Sequence, residues 1–397
     1  MEVITYCLDV YYKKQLVGTL AERPNKQIAF QYSADWQKNG FSISPIALPL
    51  KNDVFTPPEK NSQIFNGLYG VFADSLPDAW GDLLMQRYFA SIGVNLSDLS
   101  ILDRLAYIGS TGMGALEYYP SKESDYSIIE ASMDYDAIAK ECNNILDSKT
   151  SDQLDLLYKL AGSSGGTRPK ILIKESSGEW IVKFPARTDD SICGKREYDY
   201  YLCALNCDIN ISSSELVPST VCDGYFKTRR FDRVDGAKIF TSTFAALLNV
   251  DYNMPTCDYE TFFKLVNMLT KENKEDIKQM YRQMCVNVLN HNRDDHTKNF
   301  SFIFTEDYGW RLAPAYDITY STTYYGEQTT SVKGKGKDIS DNDLISTGVQ
   351  AGLKKSYCEE ALADIREKSK ILDIYQTDRK QAKTKKTKVT KRLDELK

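Results

Sequence analysis

Apolar residues in the first part of the chain fall in short alternating or continuous runs broken by polar turns. VITYCLDVYY (3–12), QLVGTL (15–20) and QIAFQY (27–32) read as strands. Pro57-Pro58 marks a loop, and Ser75-Leu-Pro-Asp then opens a helix, DAWGDLLMQRYFA (78–90), with Pro77 near its first turn. After a polar stretch from Ser121 to Tyr135, the spacing predicts helices in DAIAKECNNIL (136–146) and DQLDLLYKLA (152–161). The pattern changes at GSSGGTRP (162–169), a glycine- and serine-rich turn. KILIK (170–174) and WIVKF (180–184) are β-type runs joined by ESSGE. A helix around REYDYYLCAL (196–205) and strand material near TVCDGYFKTRRF (220–231) follow.

From about Ala245 the chain becomes mainly helical. Tyr259, Phe262, Phe263, Val266 and Leu269 recur at i, i+3, i+4 and i+7, and Ile277, Met280, Tyr281, Met284 and Val288 do the same. No internal repeat is apparent. The order predicts an α+β protein in which a small β-rich lobe precedes a larger helical one.

Composition narrows the class. A chain of 397 residues suits two or three linked lobes rather than one core. Its 42% hydrophobic and 26% charged residues are those of a soluble globular protein. No apolar run reaches the roughly 18 residues a membrane helix needs. The opening MEVITYCLDVYYKK lacks a signal-peptide pattern, so a cytoplasmic protein without membrane attachment is expected. Nine cysteines without a C-x-x-C pair argue against a disulfide framework and a zinc ribbon, and most should be small buried residues. The net charge of −5 argues against broad nucleic-acid binding, which needs a basic surface. The basic C-terminal run QAKTKKTKVTKRLDELK (381–397) is read as a solvated terminal helix.

The segment HNRDDHTKNFSFIFTEDYGWRLAPAYD (291–317) is richest in chemistry. It follows an amphipathic helix, which places Asp294 through Asn299 in a loop. FSFIF and WRL then read as strands joined by TEDYG, with Asp317 just beyond. Protein kinases use this order. A loop Asp orients the attacking hydroxyl, an Asn five residues later and a further Asp hold Mg²⁺, and the metal neutralises charge on the phosphates. Upstream, GSSGGTRPK can bring backbone N–H groups close to phosphates, because small residues permit the approach. Lys183 can supply a fixed cation, and Glu197 on the next predicted helix can orient it.

Other readings of single features stay open at this level. A loop rich in Asp and Asn can be a solvated turn. His291 and His296, the only histidines, could suggest a metal site, although their separation suits neither H-E-x-x-H nor a familiar zinc spacing. Gly162-Ser163-Ser164-Gly165-Gly166 also fits the G-x-S-x-G nucleophile elbow. That elbow needs a strand before the serine and a helix after it, the reverse of the order here.

At these residues the chain resembles the HipA family of bacterial toxin kinases. Gly165-Gly166-Thr167-Arg168-Pro169-Lys170 matches the family's phosphate loop, G-[AG]-x-[RQ]-P-K. Asn292-Arg-Asp294-Asp-His296-Thr-Lys298-Asn299 fits its catalytic run, N-x-D-x-H-x-K-N, at every fixed position. PAYD (314–317) looks like the metal-binding element and RRFDR (229–233) like the hinge. FADSLPDAWGDLLMQRY (72–88) is similar to the accessory region.

The resemblance implies a two-lobed protein-kinase-like fold with an N-terminal accessory β-rich subdomain. Its segments would be 1–125 (accessory), 126–240 (N-lobe with phosphate loop and hinge) and 241–397 (helical C-lobe). It implies ATP and Mg²⁺ as cofactors, with Asp294 rather than Asp295 as catalytic base and Asn299 and Asp317 as metal ligands. Gly165, Gly166, Thr167, Arg168, Lys170, Lys183, Arg229, Arg230, Phe231, His296, Lys298 and Tyr316 would bind ATP. The hinge would contact adenine through backbone groups.

It also implies autophosphorylation in trans at Ser163, with Ser164 a close second. A phosphate there would expel the loop and silence the enzyme. The substrate would be a protein of the translation machinery, often an aminoacyl-tRNA synthetase. A HipB-like DNA-binding antitoxin would restrain the kinase, so that DNA is met only indirectly. Two departures stand out: Arg229 where the hinge often has an acidic residue, and TSTFAALLN (241–249) where an H-x-x-D-type element often follows. A kinase acting on a lipid head group or small molecule shares the Asp…Asn…Asp layout. A non-catalytic nucleotide-binding corepressor scaffold is a further alternative.

Overall fold

A computed structural model describes residues 5–25, 27–59, 64–122, 133–151, 153–163, 165–322 and 325–375. Ser164 and the basic 381–397 run lie outside the described residues. The chain gathers into two compact units. The first comprises Met1–Lys195, Ser212–Pro255 and His296–Tyr316, and the second Arg196–Ile211, Thr256–Asp295 and Asp317–Lys397.

The first unit opens with β1 (Cys7–Tyr12), β2 (Gln15–Glu22) and β3 (Ile28–Tyr32), followed by the short helix α1 (Ala34–Asn39). Their alternation places Leu8, Val10, Tyr12, Val17 and Leu20 inside. The helices α2 (Gly70–Ala73), α3 (Ala79–Ser91) and α4 (Ile101–Ile108) come next, and β4 (Leu116–Tyr119) returns to the free edge of β1, giving an antiparallel sheet β3-β2-β1-β4. Ser100 and Asp103 form a reciprocal capping box that starts α4.

Helices α5 (Tyr135–Leu146) and α6 (Leu154–Ala161) lead into a second antiparallel sheet, β5-β6-β8-β7. It consists of β5 (Lys170–Glu175), β6 (Gly178–Lys183), β7 (Ser214–Val217) and β8 (Tyr225–Arg229), with α7 (Cys193–Asn206) between β6 and β7. The small pair β9 (Arg233–Val234) and β10 (Ala237–Lys238) precedes β11 (Phe240–Thr243) and α8 (Phe244–Leu248).

A third sheet pairs β11 with the later hairpin of β12 (Ser301–Thr305) and β13 (Gly309–Leu312). Phe240 faces Phe304, and Phe304 faces Trp310. This hairpin packs on the N-terminal sheet. The Phe41 and Phe304 rings stack at 3.7 Å, and Tyr12 meets Phe240 edge-on at 6.1 Å. The strand pairing and aromatic contacts thus tie the residues just after the 296–300 segment to the N-terminal sheet.

The second unit is helical, with the body of α7, α9 (Tyr259–Leu269), α10 (Lys274–Leu289), α11 (Asp341–Gln350) and α12 (Lys355–Lys368). Asp258, Asn273 and Ser340 cap three of these through their side chains. The periodic residues of α9 and α10 are buried, apart from Val288 near the end of α10. Gly348 marks the closest approach, since a Cβ there would meet the Cys358 sulfur and the Tyr281 ring at 2.6 Å. All nine cysteines are free thiols and seven are buried, which suits small apolar core residues. Among the described residues no helix is long and apolar enough to cross a membrane.

Candidate active site

In the first unit the glycine-rich loop is shaped by local sterics. Gly162 ends α6 at φ +53°, and Gly166 adopts φ +94°, a region L-residues avoid. A Cβ on Gly165 would meet the Asp78 carboxylate at 2.8 Å, and one on Gly166 the Lys170 ammonium at 2.6 Å. Lys170, almost fully buried, turns back to the Gly165 carbonyl. Ser163 is buried as well, and its Oγ accepts from the Met113 N–H at 2.8 Å.

Lys170 and Lys183 are directly opposed across β5 and β6, so both lie on one face of the sheet. Lys183 also lies over the Phe226 ring at 5.6 Å. Like charges at opposed positions repel, and an anionic ligand suits that face. Arg168 forks onto Asp189 at 2.9 and 3.0 Å, so its guanidinium braces the loop's exit. In the predicted hinge, the Arg229 and Arg230 amides donate to the Ser213 and Glu179 carbonyls. The buried Arg230 side chain is committed to Asp232 at 2.8 Å. Burial alone would raise the Asp232 carboxyl, but Arg230 and Arg233 outweigh it and hold the group down at about 2. Phe231 stacks on Tyr316 at 5.5 Å.

The part of the catalytic run that lies in this unit starts at His296. Its Nδ1 accepts from the Lys298 amide at 3.2 Å, capping a single 3₁₀ turn, Thr297–Asn299. The expected loop therefore contains one helical turn, which carries Asn299. Tyr316 reaches back and donates to the Lys298 carbonyl at 2.8 Å. The Lys298 ammonium lies 4.8 Å from the Tyr252 ring centre and pairs with Asp78. Burial would lower Lys298, but Asp78 and Asp74 outweigh it and keep the ammonium charged.

In the second unit the stretch 292–295 is pinned by buried hydrogen bonds. Asp295 is fully buried and accepts from Tyr259 Oη at 2.8 Å, Gln328 Nε2 at 3.1 Å, Thr329 N at 2.9 Å and Thr330 N at 3.1 Å. Burial pushes its carboxyl up to about 7, against the pull of these donors. Asn287 donates to Tyr259 Oη, and Asn292 to Asn287, each at 3.0 Å. Asp294 is exposed between the buried Arg293 and Asp295. Asp317 is half-buried and adopts φ +52°, a left-handed conformation that Asp enters more readily than most residues with a side chain. Glu197 is buried on α7.

The loop, both lysines, the hinge, His296, Lys298, Asn299 and Tyr316 thus belong to the first unit, and Glu197, Asp294 and Asp317 to the second. An amide and carboxylates of this kind are hard oxygen donors, the set that magnesium prefers. The loop glycines let the Asp78 carboxylate and the Lys170 ammonium reach the backbone, where an added Cβ would collide with them, and the ammonium is a charge that suits a phosphate chain. Sequence reasoning assigned no role to Asp74, Asp78 or the partners of Asp295. Asp78 looks in sequence like an ordinary helix cap, and nothing local betrays its other contacts.

An α+β chain with a glycine-cradled loop, paired sheet lysines and an Asp-x₄-Asn segment has the architecture of the HipA proteins. Residues 8–119 match the model for the HipA N-terminal domain and 162–371 that for the HipA-like C-terminal domain. The chain belongs to the HipA family and is a HipA-like kinase. A Sinorhizobium fredii protein named "Putative kinase Y4mE" is 24% identical over 379 residues, 88% of this chain and 85% of that protein. "Putative kinase Y4dM" from the same organism is 23% identical over 198 residues, 45% of this chain and 48% of that one. The fold matches that of Shewanella oneidensis HipA, solved with HipB and operator DNA. There the TM-score is 0.67 at 18% identity, over 92% of this chain and 90% of that one.

Proposed function

We propose that this kinase transfers the γ-phosphoryl group of ATP to a serine or threonine hydroxyl of a protein in the translation machinery, for which an aminoacyl-tRNA synthetase is the candidate. The observation that carries the reading is Asp294: an exposed carboxylate in a loop whose neighbours are buried and hydrogen-bonded. A base must reach the proton it removes and must not wander, and this loop provides both. Asp294 accepts the proton of the attacking hydroxyl. Asn299 and Asp317 are the magnesium ligands, and bound magnesium supplies neutralisation of charge on the phosphate oxygens.

Gly165, Gly166, Thr167 and Lys170 line the phosphates, with Arg168 supporting them through Asp189. Lys183, oriented by Glu197, contacts the α- and β-phosphates, and His296 and Lys298 the rest. The hinge Arg229–Phe231, with Tyr316, borders the adenine. On this reading 1–125 is accessory, 126–240 serves the nucleotide and 241–397 the transfer, in the cytoplasm.

Autophosphorylation is proposed at Ser163, with Ser164 the alternative. The Ser163 hydroxyl is buried and bonded to Met113, so the loop must leave this position before the serine can be modified. A HipB-like DNA-binding antitoxin is the proposed restraining partner, since the Shewanella relative was solved with HipB and operator DNA. The deciding experiment is intact-mass measurement after incubation with ATP and Mg²⁺. A gain of about 80 Da in wild type and none in Asp294→Ala supports the reading. Label from ATP that enters only a lipid extract would overturn it.

A further inference from the structure

Asp78 occupies the N-cap of α3 yet makes no side-chain bond to its own helix. An Asp at that position ordinarily accepts from the second or third helical amide, which stabilises the helix by about 1 kcal/mol. Here the Trp80 N–H donates instead to the Gly166 carbonyl at 3.3 Å, so the phosphate loop caps the helix. In return the helix holds the loop: Asp78 Oδ2 accepts from the Gly166 N–H at 2.9 Å. The Trp80 indole adds a bond to the Lys170 carbonyl at 3.0 Å. The other oxygen of Asp78, Oδ1, takes the ammonium of Lys298, more than two hundred residues away in sequence. Asp74, four residues earlier at the end of α2, is fixed by the Thr243 amide and hydroxyl, both at 2.8 Å.

We propose that Asp78 is a positioning residue for phosphoryl transfer, tying the phosphate-loop backbone at Gly166 and the Lys298 ammonium to one carboxylate so that both are held toward the same polyphosphate. The proposal rests on the kinase reading above. The logic is that of the kinase Lys–Glu pair, in which a carboxylate orients an ammonium and leaves its other N–H donors for phosphate. A lysine has three such donors and a flexible stem, so an ion pair that fixes one donor removes much of the freedom lost on binding. The residue comes from the N-terminal HipA domain, which thereby takes part in nucleotide binding.

The test compares full-length wild type, Asp78→Ala and Asp78→Asn. It measures affinity for a fluorescent ATP analogue, transfer rate against ATP concentration by intact mass, and thermal melting. Asp78→Ala should raise the ATP KM about tenfold or more while kcat falls less. Asp78→Asn keeps an acceptor for Gly166 without the charge for Lys298, and should lie between. In the Lys298→Ala background the Asp78→Ala effect should shrink, because the two act through one contact. If both Asp78 variants bind and turn over ATP with wild-type constants, the proposal is wrong. Faster transfer would also overturn it, since the carboxylate would then be competing with phosphate. Wild type that binds nucleotide without transferring it defeats the kinase reading alone, and the binding measurements still judge Asp78. Wild type that binds none overturns both.

Discussion

Two adjacent carboxylates in the catalytic run have opposite surroundings: Asp294 is exposed and Asp295 is enclosed by four donors. Their replacements should separate cleanly. If Asp294 is the base proposed above, Asp294→Ala should lower transfer by about 10² to 10⁴ while shifting the melting temperature far less than Asp295→Ala, because its carboxylate is exposed. Asp295→Ala leaves several buried donors without an acceptor and should cost about 3 kcal/mol or more of stability in a denaturant titration. The motif N-x-D-x-H-x-K-N was legible in the chain and singled out Asp294. That Asn292 and Asp295 serve the fold was not, because their partners Gln328, Thr329 and Thr330 lie far along the sequence.

Elements were easier to read than their pairings. The helices α3, α5, α6, α9 and α10 and the hairpins β5–β6 and β12–β13 stand where periodicity and turn residues put them. The strands β4 and β11 went unread, since each is only four residues long and is defined by distant partners. The phosphate loop shows how an element depends on single glycines. Gly166→Ala must accept φ +94° and displace the Lys170 ammonium. The expected result is a loss of about 1–3 kcal/mol, read as lower thermal stability together with weaker binding of ATP. Gly67→Ala offers a control, because it shares a positive φ but meets no neighbour within 4 Å.

The molecule as a whole should carry a pH signature. Burial raises Asp295 to about 7 and Asp74 to about 6, above the ordinary 3.8. Between pH 4 and 7 the folded state therefore holds protons that the unfolded chain has released. Stability contributed by these groups is greatest near pH 4 and falls as pH rises through that window. Denaturation midpoints measured from pH 4 to 8 should show the decline, and Asp74→Asn, which cannot titrate there, should remove the part that ends near pH 6. An unaltered profile in that variant would contradict the assignment. The depressed carboxyl of Asp232, at about 2, acts only below this range.

The division of the chain into interleaved segments has a consequence for its biosynthesis. The first unit needs His296–Tyr316 for completion, and the second needs residues from Arg196 onward through three separate stretches. A ribosome that stalls anywhere before Tyr316 therefore releases a product in which neither unit is whole. Abortive translation of this message before Tyr316 therefore leaves both units incomplete, and the second is finished only by the stretch that starts at Asp317.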